Sequence, residues 1–276
     1  MSDLSKEKQS ELEKVAHEAR KWIIKMIFEA KSGHPGSSLS CIDIITELFF
    51  NDMNVDPKNP LKEDRDRFVI SKGHGVPALY AALGLRGYFN IEETATFRQL
   101  GSPFQGHPDR VRMPVLEAST GSLGQGLSVA QGMAMSLRMD NNPARVFCLI
   151  GDGETQEGQI WECAMSTGNF QLDNLIVFLD SNGYQIDGTV KDVMDLGDIK
   201  AKFEAFKWHV EEIDGHNMQQ IHQAVLKCSQ LKGKPHLIVA KTVKGKGVSF
   251  MENDNKWHGS APNENEFNQA MKELER

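Results

Sequence analysis

Apolar and polar positions change period several times along the chain. Over residues 5–30 they repeat at helical spacing, with Leu12, Val15, Ala16, Ala19, Trp22, Ile23, Met26 and Ile27 on one stripe. The stripe stops at Ser32-Gly33-His34-Pro35-Gly36, where glycine and proline forbid continuation. Ser40 is placed to cap a second helix over 42–50. A polar, proline-containing loop then leads to a short strand over 67–71, which ends at Gly73-His74. Helices are expected over 76–86, 91–100 and 127–138, with a glycine- and proline-rich stretch, 101–113, between the last two. Two apolar, β-prone runs follow, 146–150 and 175–179, separated by a helical pattern over 157–169. Beyond them the pattern gives a helix over 198–206, a strand over 208–213, a helix over 218–231, a strand within 235–243, a polar loop around His258 and a charged helix over 264–276. Strands alternating with helices predict an α/β fold with a doubly wound, mainly parallel sheet, formed by one domain spanning 1–276.

The two central runs stop at Gly151-Asp152-Gly153 and Asp180-Ser181-Asn182-Gly183. A strand–helix–strand unit puts both turns at the carboxyl ends of neighbouring parallel strands, the edge where open α/β sheets bind ligands. Asp152 and Asn182 are thereby predicted to lie side by side. A carboxylate with an amide oxygen suits a hard cation that keeps sites for water and phosphate, as magnesium does. Gly153 lets backbone approach a phosphate closely, and the helix opening near Glu157 turns its N–H groups toward the same place. Taken singly, each motif is an ordinary turn after a strand; the pair within one unit is not so readily explained that way.

Composition narrows the class. Hydrophobic residues at 39% and charged residues at 25% fit a globular protein whose 276 residues allow a sizeable core. The formal charge of −7 argues against nucleic acid or an anionic membrane as partner. No apolar run reaches the length of a membrane span, and the polar start indicates a cytoplasmic protein. Cys41, Cys148, Cys163 and Cys228 lack metal-type spacing and read as buried thiols. Four of the nine histidines, His34, His74, His107 and His258, fall in loops rich in glycine or proline, where imidazole can meet phosphate or sugar oxygens and move protons. The other five, His17, His209, His216, His222 and His236, are assigned no role.

The string Asp180–Gly188 (DSNGYQIDG), together with SGHPG at 32–36, SKGH at 71–74, FRQLG at 97–101, GSLGQG at 121–126 and GDG at 151–153, resembles the transketolases, thiamine-diphosphate enzymes, over residues 16–260. The resemblance implies that Asp152, Asn182 and the carbonyl of Tyr184 hold Mg2+ (Ca2+ or Mn2+ substituting). It places His74, Gly153 and His258 on the cofactor's diphosphate, with Asn182 beside it. Gly121 and Leu123 would touch the cofactor from the backbone, and Glu157 would couple paired active sites. His34, His107 and His258 would surround the donor sugar and the reacting carbon as catalytic groups. The implied reaction is transfer of a two-carbon ketol unit from a ketose, or its phosphate, to an aldose acceptor in pentose phosphate-type carbohydrate metabolism.

A whole transketolase would also have a pyrimidine-binding domain, which carries the family's cofactor-activating glutamate, and a third domain. No stretch here matches either. The chain is therefore read as the N-terminal subunit of a split transketolase, completed by a C-terminal transketolase subunit in an α2β2 heterotetramer, with a truncated longer chain as the alternative. Two other readings stay open: a subunit of a different thiamine-diphosphate enzyme, of the deoxyxylulose-phosphate synthase or 2-oxoacid dehydrogenase kind, and a non-catalytic magnesium-diphosphate-binding module.

Overall fold

Helix α1 (Lys6–Ala30) starts after Ser5, whose hydroxyl accepts the Lys8 N–H, in a computed structural model that describes residues 3–275. Helix α2 (Pro35–Glu47) begins seven residues before the sequence pattern places it, with proline in its first turn. Ser40 is not its cap. It lies mid-helix, its hydroxyl donating to the Ser37 carbonyl and to the Asp180 carboxylate. Every residue of α2 is buried, so no polar face marks where the helix begins. It passes into a single π turn, Leu48–Asp52. After β1 (Arg67–Ile70) and α3 (Val76–Arg86), the helix expected over 91–100 shrinks to a 3-10 segment, Ile91–Thr96.

The central unit comprises α4 (Gln125–Met139), β2 (Val146–Gly151), α5 (Gly158–Phe170) and β3 (Leu175–Ser181). The sequence pattern did not predict the small antiparallel ribbon β4 (Tyr184–Gln185) and β5 (Gly188–Thr189), or the short α6 (Val190–Met194) after it. The chain continues through α7 (Ile199–Ala205), β6 (His209–Asp214), α8 (Met218–Gln230), β7 (His236–Lys241) and α9 (Glu264–Glu273).

Five strands pair in parallel in the order β1-β2-β3-β7-β6. Alternate residues face two separate cores. Phe147, Leu149, Ile176, Phe178 and Ile238 pack under α1, α2, α3 and α8, while Cys148, Ile150, Val177, Leu179 and Val239 pack under α4, α5 and α7. Right-handed crossovers account for the division. The steps β1 to β2, β2 to β3 and β3 to β6 run one way across the sheet and carry α4, α5 and α7 over one face, and the step back from β6 to β7 puts α8 on the other; α3, also between β1 and β2, packs on the α8 face beside α1 and α2. β2 is buried throughout, as a central strand covered on both faces must be, whereas β6 is an edge strand with its acidic residues toward solvent. All four cysteines are buried and unpaired. Among the described residues no helix is long and apolar enough to cross a membrane.

Candidate active site

β3 runs two residues further than its apolar pattern, to Ser181, and Gly151 of β2 pairs with Asp180. Asp152 and Asn182 therefore leave the sheet at one place and line one cleft of about 350 Å³, with Gly153, Glu157 and Tyr184 on its wall. One Asp152 oxygen accepts the Gly153 N–H (2.8 Å) and the other the Gly183 N–H (2.6 Å). Burial and the neighbouring Asp180 push its pKa up to about 6. The Asn182 amide donates to Asp180 (3.0 Å), which leaves its Oδ1 to accept the Tyr184 N–H (3.1 Å) and face the cleft. Asp180 is fully buried and also accepts from Ser40, Thr242 and Lys72 Nζ (2.5 Å). Burial alone would raise its pKa, but Lys72 and these hydrogen bonds outweigh that and hold it below the usual carboxylate range. The Lys72–Asp180 pair thus fixes the amide that fixes the Asn182 oxygen.

Four loops bring four histidines together. His34 precedes α2, His74 follows β1, His107 belongs to the long loop before α4, and His258 follows β7. The His34 ring centroid lies 5.2 Å from that of His74, 6.1 Å from His107 and 5.6 Å from His258, and His74 and His258 are 5.2 Å apart. Desolvation, then Arg98, His107 and Lys244, brings His34 down to about 4. Desolvation and Lys244 bring His258 to about 3, and burial beside Lys72 holds His74 well below its ordinary value. His107, on the open side, is lowered by desolvation and Arg98. All four are neutral near pH 7, able to accept or donate at either nitrogen.

Three further groups line or brace the wall. Lys244 is fully buried with Nζ 3.0 Å from His258 Nδ1, and burial and Lys72 lower it to about 8. Arg98 donates to Ser32 (2.7 Å) and reaches His34 Nδ1 (3.4 Å). Glu154 accepts the Gly124 and Gly151 N–H groups, each at 2.9 Å, and the Ser71 hydroxyl, tying the 121–124 loop to the sheet edge. Gly121 and Leu123 of that loop line the cleft; Gly121 has φ 144°, and a Cβ there would stand 2.9 Å from the His107 ring.

Residues 12–275 match the family model described as transketolase, thiamine diphosphate binding domain. The chain belongs to that family. It is 44% identical to the 6-deoxy-6-sulfo-D-fructose transketolase subunit of Clostridium sp. (strain MSTE9), over 98% of each chain. It is 41% identical to an apulose-4-phosphate transketolase subunit of Phocaeicola vulgatus, over 95% of this chain and 93% of that one. Among solved structures, transketolase from Leishmania mexicana superposes with a TM-score of 0.90 at 32% identity, over 96% of this chain. This chain spans about two fifths (41%) of that structure's length.

In this transketolase-family chain, residues of every motif singled out in the sequence line or brace the one cleft. Sequence reasoning passed over Lys72, Asp180, Glu154, Lys244 and Arg98. Lys72 and Arg98 lay inside quoted motifs without a role; Lys244 carried only a weak signal, a lysine between valine and glycine just past the last strand. Four of the dismissed histidines also have defined partners: His17 meets the Leu274 carbonyl and His209 meets Glu211. His216 contacts Asp43. His222 contacts Glu47 and Asp52 at the far end of α2, roughly 18 Å from the cleft by helix rise. Glu157 is exposed at the rim.

Proposed function

We propose that this chain supplies the diphosphate- and metal-binding half of a two-subunit transketolase. The observation that carries the reading is the meeting of Asp152 and Asn182 with four neutral histidines and buried Lys244 at the carboxyl edge of one parallel sheet. The reading is also supported by the names of the equal-length relatives, which are transketolase subunits.

The residues fit the cofactor and its ion. Asp152 and Asn182 offer hard oxygen donors side by side on the cleft wall, a set that suits a divalent cation. Magnesium is the ion proposed, on Asp152, Asn182 and the Tyr184 carbonyl, with calcium or manganese able to replace it. His74, His258, Lys244 and the Gly153 backbone would bind the diphosphate; Gly121 and Leu123 would border the cofactor. Thiamine diphosphate, when bound, supplies the nucleophilic carbon, which explains why no serine or cysteine is needed for that role. His34 and His107 would hydrogen-bond the sugar hydroxyls, and His258 would hold or move a proton near the reacting carbon. Burial, with Arg98 beside it, keeps His34 neutral, and Arg98 would orient it.

The donor class follows from the relatives, whose names specify a sulfonated ketose and a ketose phosphate. An anionic ketose is accordingly proposed here, with an aldose acceptor. The test is ketol transfer by the chain mixed with a C-terminal transketolase subunit, magnesium and thiamine diphosphate, using D-fructose 6-phosphate, 6-deoxy-6-sulfo-D-fructose and apulose 4-phosphate as donors. Transfer from one donor, lost in Asp152→Ala and Asn182→Ala together with cofactor retention, is expected. Turnover only of a 2-oxoacid, or unchanged cofactor affinity in both variants, would defeat the reading.

A further inference from the structure

Three side chains outside the cleft form one unit that grips the segment carrying Lys244. His216, in the turn after β6, has Nε2 2.9 Å from the Val243 amide nitrogen. A backbone N–H can only donate, so Nε2 is the acceptor and the proton is on Nδ1. Nδ1 lies 2.6 Å from Asp43 Oδ2, to which it donates. Asp43, buried on α2, receives two further hydrogen bonds from Arg20 of α1, at 3.1 Å and 2.5 Å. The third donor of Arg20, Nε, reaches the Lys246 carbonyl at 3.1 Å. The unit therefore holds Val243 by its N–H and Lys246 by its carbonyl. β7 has ended at Lys241, so sheet pairing does not hold these residues.

What the grip positions is Lys244. Between the two held ends, the Gly245 N–H donates to the Gly36 carbonyl (3.0 Å). The missing side chain of Gly36 makes the room, since a Cβ there would stand 2.9 Å from Lys244 Cγ and 2.8 Å from the Trp257 carbonyl. Lys244 threads through this gap to His258 Nδ1. A lysine side chain left to itself samples many rotamers, and a buried one is aimed by where its backbone starts.

We propose that Arg20, Asp43 and His216 are positioning residues, a clamp on residues 243–246 that aims Lys244 at the diphosphate end of the cleft. The proposal rests on the functional reading above. It assigns the three groups no contact with substrate or cofactor; they act through Lys244, as outer groups act through the ligands they orient.

The chain assembled with a C-terminal transketolase subunit tests it by two measurements. Hydrogen exchange at the Val243 and Gly245 amides should quicken at least tenfold in His216→Ala, while the amides of β7 keep their protection. Affinity for magnesium thiamine diphosphate, read from the fluorescence of buried Trp257 beside His258, should fall at least tenfold. His216→Gln offers a donor and an acceptor at a similar spacing and should stay within about threefold of wild type. Lys244→Met should reproduce the loss, and His216→Ala combined with Lys244→Met should bind no worse than Lys244→Met alone. If His216→Ala does not fold, Asp43→Asn, which keeps the side chain's shape, takes its place in the cycle. Additive losses, or wild-type affinity in the His216→Ala chain, overturn the clamp. A wild-type assembly that binds no magnesium thiamine diphosphate overturns the functional reading instead, and the clamp's purpose with it.

Discussion

At the scale of single residues, the four histidines are one type in four settings. His74 lies deep beside Lys72 and has Nε2 3.1 Å from the Ser37 hydroxyl, whereas His107 is exposed on the open side. His74→Ala should therefore raise the cofactor concentration needed for half activity first. Loss of a hydrogen bond to a charged group, about 1.5–3 kcal/mol, corresponds to roughly tenfold or more. His107→Ala should leave cofactor affinity nearly intact and lower turnover. Identical kinetic signatures for the two variants would contradict the division. The same histidines set an acid limit on the fold. His34 and His258 have folded values of about 4 and 3, and His74 is lowered too, against about 6.5 in the unfolded chain. Between these values the unfolded chain binds protons that the folded chain refuses, so stability is complete above about pH 6.5 and drains away as pH falls toward 4. Asp152, with a folded value of about 6, opposes this, as do the raised carboxyls of Glu154, Glu117 and Asp52 and the raised His222; His107 and His236, both lowered by burial, add to the three histidines. The urea midpoint should fall from pH 7 to pH 5, and fall less in His258→Asn; a midpoint that rises on acidification would show the reverse balance.

At the scale of elements, close approach decides what can change. Helix α5 passes the end of α7 so tightly that a Cβ on Gly168 would stand 1.8 Å from the Phe206 carbonyl oxygen. That oxygen belongs to backbone, so relief requires moving the helix or the turn before β6. Overpacking of this kind costs about 1–3 kcal/mol, and Gly168→Ala should lower the unfolding free energy by that amount, seen as a lower urea midpoint at unchanged slope. An unaltered midpoint would mean the contact yields freely. The sequence showed α5 well, because its apolar face repeats at helical spacing and glycine and polar turns bound it. It showed the turns after β1, β2 and β3 equally well, since glycine beside histidine, aspartate or asparagine at a strand end is a local signal. α2 was hidden in part, because a helix buried on every side has no period to read. The Lys72–Asp180 pair, joining residues 108 apart, and the bond from Ser40 to Asp180 across 140 were hidden for a different reason. Nothing near either residue in sequence announces a partner that only the sheet brings close. His216 was passed over on the same ground, since its meaning lies in Asp43 and Val243 and not in its neighbours.

At the scale of the whole molecule, large apolar side chains are exposed on segments next to those that line the cleft. Leu100 and Val111 on the long loop before α4, Ile186 in the turn between β4 and β5, and Met194 at the end of α6 are all exposed large side chains. Ile186 lines the cleft itself. Side chains of this size left in water around a charged site mark a surface to be covered, and a reaction that must exclude water needs the cover. On the proposed function, the groups on this chain would address the diphosphate end of a cofactor that has two ends. A partner holding the pyrimidine end would seat over these loops, and two such pairs related by a twofold axis would give the α2β2 assembly, with one cofactor at each interface between unlike chains. Three results are then expected. The 276-residue chain alone, given magnesium, thiamine diphosphate and a ketose–aldose pair, should show no ketol transfer. Adding the C-terminal subunit should restore it. Ile186→Lys or Leu100→Lys should weaken assembly, seen by sedimentation as dissociation at higher protein concentration than wild type, while leaving the unfolding free energy of the isolated chain within about 0.5 kcal/mol, as for other exposed sites. Full turnover by the isolated chain would refute the need for a partner, and assembly indifferent to both lysine substitutions would place the partner on another face.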